Sequence, residues 1–455
     1  LYNKSLAITS KQLGENSPST ATCYYTVGTV YLKQDNLPDT VSNYSKALSI
    51  RLKKLGEYNT ETASMYYELG STYLKFGDYA NCKDNLEKAK IIQEKICPGT
   101  IQLARTYFNL GMYQYYTNDR ISALTSLTES YQIKKKVCAP DSVEIALVCG
   151  QIADILSEID EHKSAIDYYK YAISLYVKQP NIDNAELTRL FFNVGNEYFK
   201  TGDCANAIEA YDWSIKIITT YIGENDPLLI DRYINLANAY QAFGKSDEAI
   251  AVLQDAEQIQ NANPGNKANL TEIYNTLALI YNGKADVDKA LYYSLQALSN
   301  EELLNDKESL SCAITYNNLG ALYLKRYDFD QSLAYHMEAL KIRKSLLGEN
   351  NINTALSYEQ VSQAAGLAGK KELASECSRK AIEILQTIDP DDTSSDSEVR
   401  RTAIKILTDL GSAAKLSENY SDALNLYQKA LVKAAKLYSR NEADLIIIHS
   451  QIAHI

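Results

Sequence analysis

No stretch of this sequence approaches the ~18 consecutive apolar residues that a membrane-crossing helix requires, which excludes an inserted helical span. A cleavable signal sequence is also missing. Positive charge is short as well: 46 lysines and arginines face 57 aspartates and glutamates, a formal charge of −11. Phosphate binding relies on concentrated lysine and arginine, so nucleic acid and anionic membrane surfaces are not expected partners. No glycine-rich phosphate loop is present. The eight cysteines (Cys23, Cys82, Cys97, Cys138, Cys149, Cys204, Cys312, Cys377) form no C-x-x-C pair and have no histidine at zinc spacing, so no metal site is expected. They read as reduced thiols of a cytoplasmic protein, Cys82 as a buried one. The four Asn-x-Ser/Thr sequons, at Asn3, Asn43, Asn269 and Asn419, point the other way, although a chain rich in these residues makes sequons by chance.

Catalytic groupings are equally scarce. The four histidines, His162, His336, His449 and His454, lack an acidic or cysteine partner at a recognisable catalytic spacing, and His449 and His454 lie five apart, off a shared helix face. All four read as surface or groove residues. No nucleophilic cysteine or cofactor is indicated, so no enzymatic activity is expected. The basic runs Lys134-Lys135-Lys136 and Arg400-Arg401 read as solvated helix faces or loop flanks.

What the chain does contain is enough apolar material to fold, 45% against 23% charged, and an unusual aromatic choice of 36 tyrosines against seven phenylalanines and one tryptophan. Tyrosine packs its ring inside and leaves its hydroxyl at the edge, which suits thin two-layer helical walls. Small residues recur at Gly28, Gly70, Gly111, Ala153, Gly195, Ala237, Ala278, Gly320, Ser362 and Gly411, with spacings of 42, 41, 42, 42, 42, 41, 42, 42 and 49. Nineteen residues after each anchor stands another small residue, from Ala47 to Ala430, and twelve after most stands an alanine such as Ala123, Ala207 or Ala249. Three small positions at fixed offsets mark close helix contacts, where a large side chain would push the axes apart. Turns such as Phe76-Gly77-Asp78 and Thr201-Gly202-Asp203 separate a helix A from a helix B, glycine ending one and the polar residue capping the next.

This pattern resembles the tetratricopeptide repeat (TPR). With Tyr31, Tyr73, Tyr198, Tyr240, Tyr281 and Tyr323 three residues after their anchors, and segments such as Lys46–Ala63 and Glu338–Ala355, it is similar to the 42-residue repeats of the kinesin-light-chain type. The resemblance implies an all-α, right-handed superhelical solenoid of antiparallel helix pairs. Residues 1–15 then form helix B of a preceding repeat. Ten repeats follow at about 21–62, 63–103, 104–145, 146–187, 188–229, 230–270, 271–312, 313–354, 355–403 and 404–445, and 446–455 open a further one. A chain cut within a repeat at both ends is expected to be a piece of something longer, with self-association through its uncapped ends. The polar insertion Asp389–Asp396 reads as a flexible loop within a single solenoid.

TPR grooves are lined mainly by helix A, where positions 2, 6, 9 and 13 of each repeat form one stripe. Repeat 3 presents Arg105, Asn109, Met112 and Tyr116; repeat 5 presents Arg189, Asn193, Asn196 and Lys200; repeat 6 Asp231, Asn235, Asn238 and Ala242; repeat 8 Ile314, Asn318, Ala321 and Lys325. Asparagine is a poor helix-interior residue, so its recurrence on one face needs a reason. An amide that both donates and accepts matches an extended peptide backbone, or it bonds neighbouring helices within the wall. In kinesin-light-chain-like repeats the asparagine matched by Asn109, Asn193, Asn235 and Asn318 contacts bound peptide. Arg189 and Lys200 would favour a peptide with acidic side chains. The aromatic residues Tyr25, Tyr67, Phe108 and Phe192 stand at position 5, where a carboxylate-clamp TPR carries lysine, so recognition of chaperone C-termini is not expected. The expected function is a protein-interaction scaffold that binds an extended peptide or a partner helix; the alternative is a sensor or oligomerisation region joined to an effector domain.

Overall fold

The structure is a computed structural model that describes residues 2–179, 183–263, 268–304, 308–388, 397–416, 419–437 and 443–454. Among these residues it contains helices and no strand. Where the sequence reads as one solenoid, the chain separates into two compact units, Leu1–Glu224 and Asn225–Ile455. The N-terminal unit holds α1 (Tyr2–Leu13), α2 (Pro18–Lys33), α3 (Leu37–Leu55), α4 (Thr60–Lys75), α5 (Tyr79–Ile96), α6 (Ile101–Tyr116), α7 (Arg120–Val137), α8 (Val143–Glu158), α9 (His162–Tyr176), α10 (Asn184–Lys200) and α11 (Cys204–Tyr221). The C-terminal unit holds α12 (Leu228–Ala242), α13 (Ser246–Ala262), α14 (Ala268–Gly283), α15 (Val287–Leu303), α16 (Leu310–Lys325), α17 (Phe329–Leu347), α18 (Ile352–Leu367), α19 (Lys371–Ile388), α20 (Ser397–Leu416), α21 (Tyr420–Leu437) and α22 (Ala443–Ala453). Within each unit, each even-numbered helix from α2 to α20 is a helix A and pairs with the helix that follows it. The insertion Asp389–Asp396 lies outside the described residues.

The small residues explain the pairing. Every anchor from Gly28 to Gly411 is buried, and every residue nineteen positions later is fully buried. Ser130 and Ser214, at that later position, donate to the carbonyls of Ala104 (2.7 Å) and Thr188 (3.1 Å), the first residues of their repeats. Helix B therefore lies directly on the backbone of helix A at two levels. At the anchor level the covering residue comes sixteen positions later: a Cβ on Gly70 would sit 2.6 Å from Cγ of Leu86, one on Gly195 2.6 Å from the ring of Tyr211, and one on Gly320 2.7 Å from the ring of His336. Glycine is required there because the neighbour's side chain occupies the space a methyl group would need.

Each A-to-B turn from Asp35 to Gly369 passes through a left-handed residue seven positions after the anchor. Glycine holds it at Gly77 (φ 75°), Gly202 (φ 80°), Gly244 (φ 83°) and Gly369 (φ 76°). Asp35, Asn118 and Asp160 do so in the N-terminal unit, and Ala285 (φ 61°) and Tyr327 (φ 62°) in the C-terminal unit. The next residue caps helix B: Asp78, Asp119, Asp203 and Asp328 each accept from the backbone N–H three residues on. Such caps satisfy donors that the first helical turn leaves open.

Candidate functional site

Within each unit the helix A layer carries the stripe that the repeat register assigns to a groove. In the N-terminal unit this face opens into a cleft of about 760 Å³ lined by Ser71, Leu74, Lys75, Phe76, Gly77, Tyr79, Phe108, Asn109, Met112 and Tyr116. Ser71 and Lys75 are stripe positions of α4, and Asn109, Met112 and Tyr116 are stripe positions of α6. One wall is aromatic: Tyr79 stacks on Tyr116 with centroids 6.2 Å apart, and Tyr115 meets Tyr116 edge-on at 5.6 Å. Lys75 reaches Asp35 at 2.5 Å and lies over the Phe76 ring, so the cleft offers apolar surface with few free charges.

Most of the polar stripe residues of the N-terminal unit have partners inside the wall. Arg105 donates to Glu144 Oε1 (2.7 Å), and Asn109 stands beside the Tyr67 hydroxyl. Arg189 grips Asp154 at 2.7 and 2.9 Å and Glu186 at 2.6 and 2.9 Å. Asn193 Nδ2 donates to Asp154 Oδ1 at 3.0 Å, and Asn196 Oδ1 accepts from the Tyr211 hydroxyl at 2.8 Å. Lys200 donates to Glu197 at 2.9 Å and to Ser157 at 3.3 Å. In the C-terminal unit Asn235 donates to the Asp231 carbonyl of its own helix (2.8 Å), Asn318 to Asn275 Oδ1 (3.4 Å), and Asn238 is half-buried. The positive charge expected to meet an acidic peptide at Arg189 and Lys200 is thus already neutralised by Asp154, Glu186 and Glu197. Burial works against the charge of Arg189, yet the two carboxylates outweigh it and push its pKa up.

Three sequence expectations need correction. His336 is not a surface residue: it is 4% exposed, takes the place over Gly320 that tyrosine or leucine fills elsewhere, and burial drives its pKa down to about 4. Lys134 is not on a solvated face; it is 2% exposed and ion-paired with Glu144 at 2.8 Å. His162, which has no acidic partner at catalytic spacing in the sequence, receives one from the next repeat, with Nδ1 2.8 Å from Glu197 Oε2. Burial alone would raise the pKa of Glu197, but hydrogen bonds from Ser157, Lys200 and His162 lower it. The partners that sequence reading missed, Asp154 and Glu197, carry a usable signal: Asp154 precedes Arg189 and Asn193 by 35 and 39 residues, close to one repeat.

The cysteines are all unpaired thiols; Cys82 and Cys149 are buried, and burial pushes each up to about 12, which makes them poor nucleophiles. Among the described residues no three His, Cys, Asp or Glu side chains are placed to hold a metal ion, and no helix is long and apolar enough to cross a membrane.

Comparison with known proteins agrees with this architecture. No curated protein matches the chain. Among solved structures it is similar to the apo form of RapI (17% identity, TM-score 0.61, covering 82% of this chain and 99% of that one). It is also similar to aspartyl phosphate phosphatase F from Bacillus subtilis (14% identity, TM-score 0.53, 85% and 94%). The nearly identical TPR-like repeats of a Podosopora anserina protein assigned as a kinesin light chain match 46% of this chain and 99% of their own at 16% identity and TM-score 0.41. The tetratricopeptide repeat family itself matches residues 61–136, 186–262 and 311–387, about half of the chain. Together with the buried anchors and paired helices of each unit, this makes the chain a member of the tetratricopeptide repeat family.

Proposed function

We propose that this chain is a protein-interaction scaffold that binds an extended peptide or a partner helix along its helix A faces. The observation that carries the reading is the open cleft on α4 and α6, where stripe positions of two consecutive repeats meet an aromatic wall. Met112 and the stacked Tyr79 and Tyr116 rings give an apolar side chain a surface to cover, and Asn109 stands beside them with an amide able to exchange its tyrosine partner for a backbone group. The partner chemistry this favours is an apolar anchor flanked by free backbone, not an acidic run, because the nearby cations are held in ion pairs.

The test uses peptides selected from a displayed random library against the whole chain. Tyr116→Ala should weaken the selected peptides at least tenfold, whereas Ile121→Ala, a change at an 81% exposed residue outside the cleft, should leave them unchanged. Equal binding by wild type and Tyr116→Ala would remove the cleft from the function.

A further inference from the structure

One cross-repeat contact recurs along the helix A layers. Position 5 of one repeat meets position 6 of the next: Tyr25 donates to Glu68 (3.4 Å), Asn318 donates to Asn275 (3.4 Å), and Asn109 stands beside the Tyr67 hydroxyl. In each of these pairs a donor faces an acceptor. α18 packs against α20, and there the same two positions hold Glu359 and Asp409, two acids with no hydrogen-bond donor in the pair.

Glu359 is 4% exposed and makes no hydrogen bond or ion pair among the described residues. Asp409 is half-buried and likewise has no partner there. Lys405 of α20 is the one cation that acts on the pair, and it stands beyond ion-pair distance of both. Among the described residues no other charged side chain of α16 to α20 acts on the Glu359 carboxyl. Burying a carboxyl without a partner is expensive, and here the fold receives no hydrogen bond in return. Tyrosine, phenylalanine, glycine, isoleucine, asparagine or threonine serves at position 5 elsewhere, so the repeat itself does not require an acid.

We propose that Glu359 and Asp409 form an acceptor site for a cationic side chain, an arginine before a lysine, carried by a protein partner. The planar guanidinium can give separate N–H donors to two carboxylates, whereas an ammonium acts as a point charge. The two carboxylates with Lys405 leave a net charge of −1, which one cation balances. Glu359 is protonated near neutrality, burial and Asp409 holding it at about 8. Binding therefore sends that proton to solvent, and affinity should climb up to about tenfold per pH unit until the proton is already gone.

This inference rests on the reading that helix A faces contact the ligand, but its test is separate from that of the α4–α6 cleft. The probe is a fluorescein-labelled Gly-Ser peptide carrying three arginines, compared by anisotropy with the same peptide carrying citrulline, the neutral isostere. The arginine peptide should bind the wild-type chain at least tenfold more tightly than the citrulline peptide, and more tightly at pH 8 than at pH 6. Glu359→Gln should abolish both differences, and Tyr116→Ala should abolish neither. The chain is acidic overall, so unspecific attraction predicts equal binding by wild type and Glu359→Gln. That result overturns the proposal, as does a failure of the arginine peptide to bind.

Discussion

The two units differ in how they treat most of their buried charge. In the N-terminal unit Lys134 meets Glu144, Glu197 meets Lys200, and Arg189 is held by Asp154 and Glu186, while Glu68 rests on the Tyr25 hydroxyl alone. In the C-terminal unit Arg343, 8% exposed, donates to a serine hydroxyl at 2.7 Å, His336 is kept neutral, and Glu359 faces another acid. Opposite charges in register stabilise one another and tolerate pH change. Lone buried groups resist ionising, and stability then depends on pH. The units share one repeat but differ in where they give up stability.

The largest expected effect breaks this asymmetry at Glu359. Its pKa is raised to about 8 in the fold against 4.5 unfolded, so its contribution is complete below pH 4.5 and is lost as pH rises toward 8. Glu359→Gln removes that loss. It should stabilise the C-terminal unit by about 3 kcal/mol at pH 7, with almost no gain at pH 4.5. Hydrogen exchange of α18 amides at the two pH values measures this; a gain independent of pH would show that ionisation is not the cause.

His336 supplies the opposite slope. Its pKa is depressed to about 4 from 6.5, so the fold loses stability as pH falls from 6.5 toward 4, by about 2–3 kcal/mol in total. Between pH 4.5 and 6.5 the two slopes cancel and the wild-type unit should be flat. His336→Leu, the residue that covers Gly70 and Gly111 in the other unit, should uncover a steady rise in stability as pH falls from 8 to 4.5. A flat profile in that variant would remove Glu359 from the account.

In the N-terminal unit the corresponding experiment strands a charge. Glu144→Ala leaves Lys134 buried without its carboxylate, and should cost about 2 kcal/mol, less than for a fully buried pair because Glu144 is a third exposed. Lys134→Met in the same background should recover most of it. If Glu144→Ala alone is silent, the pairing in this unit is incidental.

How much of this is legible in the sequence depends on whether the cause is local. The anchors, the small residues nineteen positions on, and turns such as Gly77-Asp78 act within one repeat, and their spacing alone places α4 against α5. The stripe can be placed, but not its partners. Asn193 looks free along its own helix, and its amide meets Asp154 because the preceding helix A brings position 9 of repeat 4 beside position 6 of repeat 5. His336 escapes a sequence reading for a related reason: sixteen positions after a glycine anchor the fold needs a ring or a branched chain, and histidine fills the place with its ring while Nδ1 meets Asn317 Oδ1 at 3.2 Å. Sequence spacing gives which residues share a face; it does not give what the facing element presents.

The smallest expected effect concerns the turns, where the comparison repeats itself in backbone form. All five left-handed turn positions of the N-terminal unit carry glycine, asparagine or aspartate, which adopt that conformation at little cost. The C-terminal unit has Ala285 and Tyr327 among its four described positions, and a side chain with no local hydrogen bond to offer costs about 1 kcal/mol there. Tyr327 is 81% exposed, and its ring meets Phe329 edge-on at 6.3 Å, so little packing is lost on removing it. Tyr327→Gly should therefore stabilise the C-terminal unit by about 0.5–1 kcal/mol, the relief of strain exceeding the added freedom of the unfolded chain. Asp160→Gly, the matched change in the N-terminal unit, should be neutral or slightly destabilising, since aspartate already tolerates its φ of 60°. Denaturant titration of both variants, followed by hydrogen exchange in α16 and α8 respectively, reads the two effects side by side. Equal gains at the two turns would mean that the C-terminal unit stores no extra strain, and the contrast between the units would then rest on their buried charges alone.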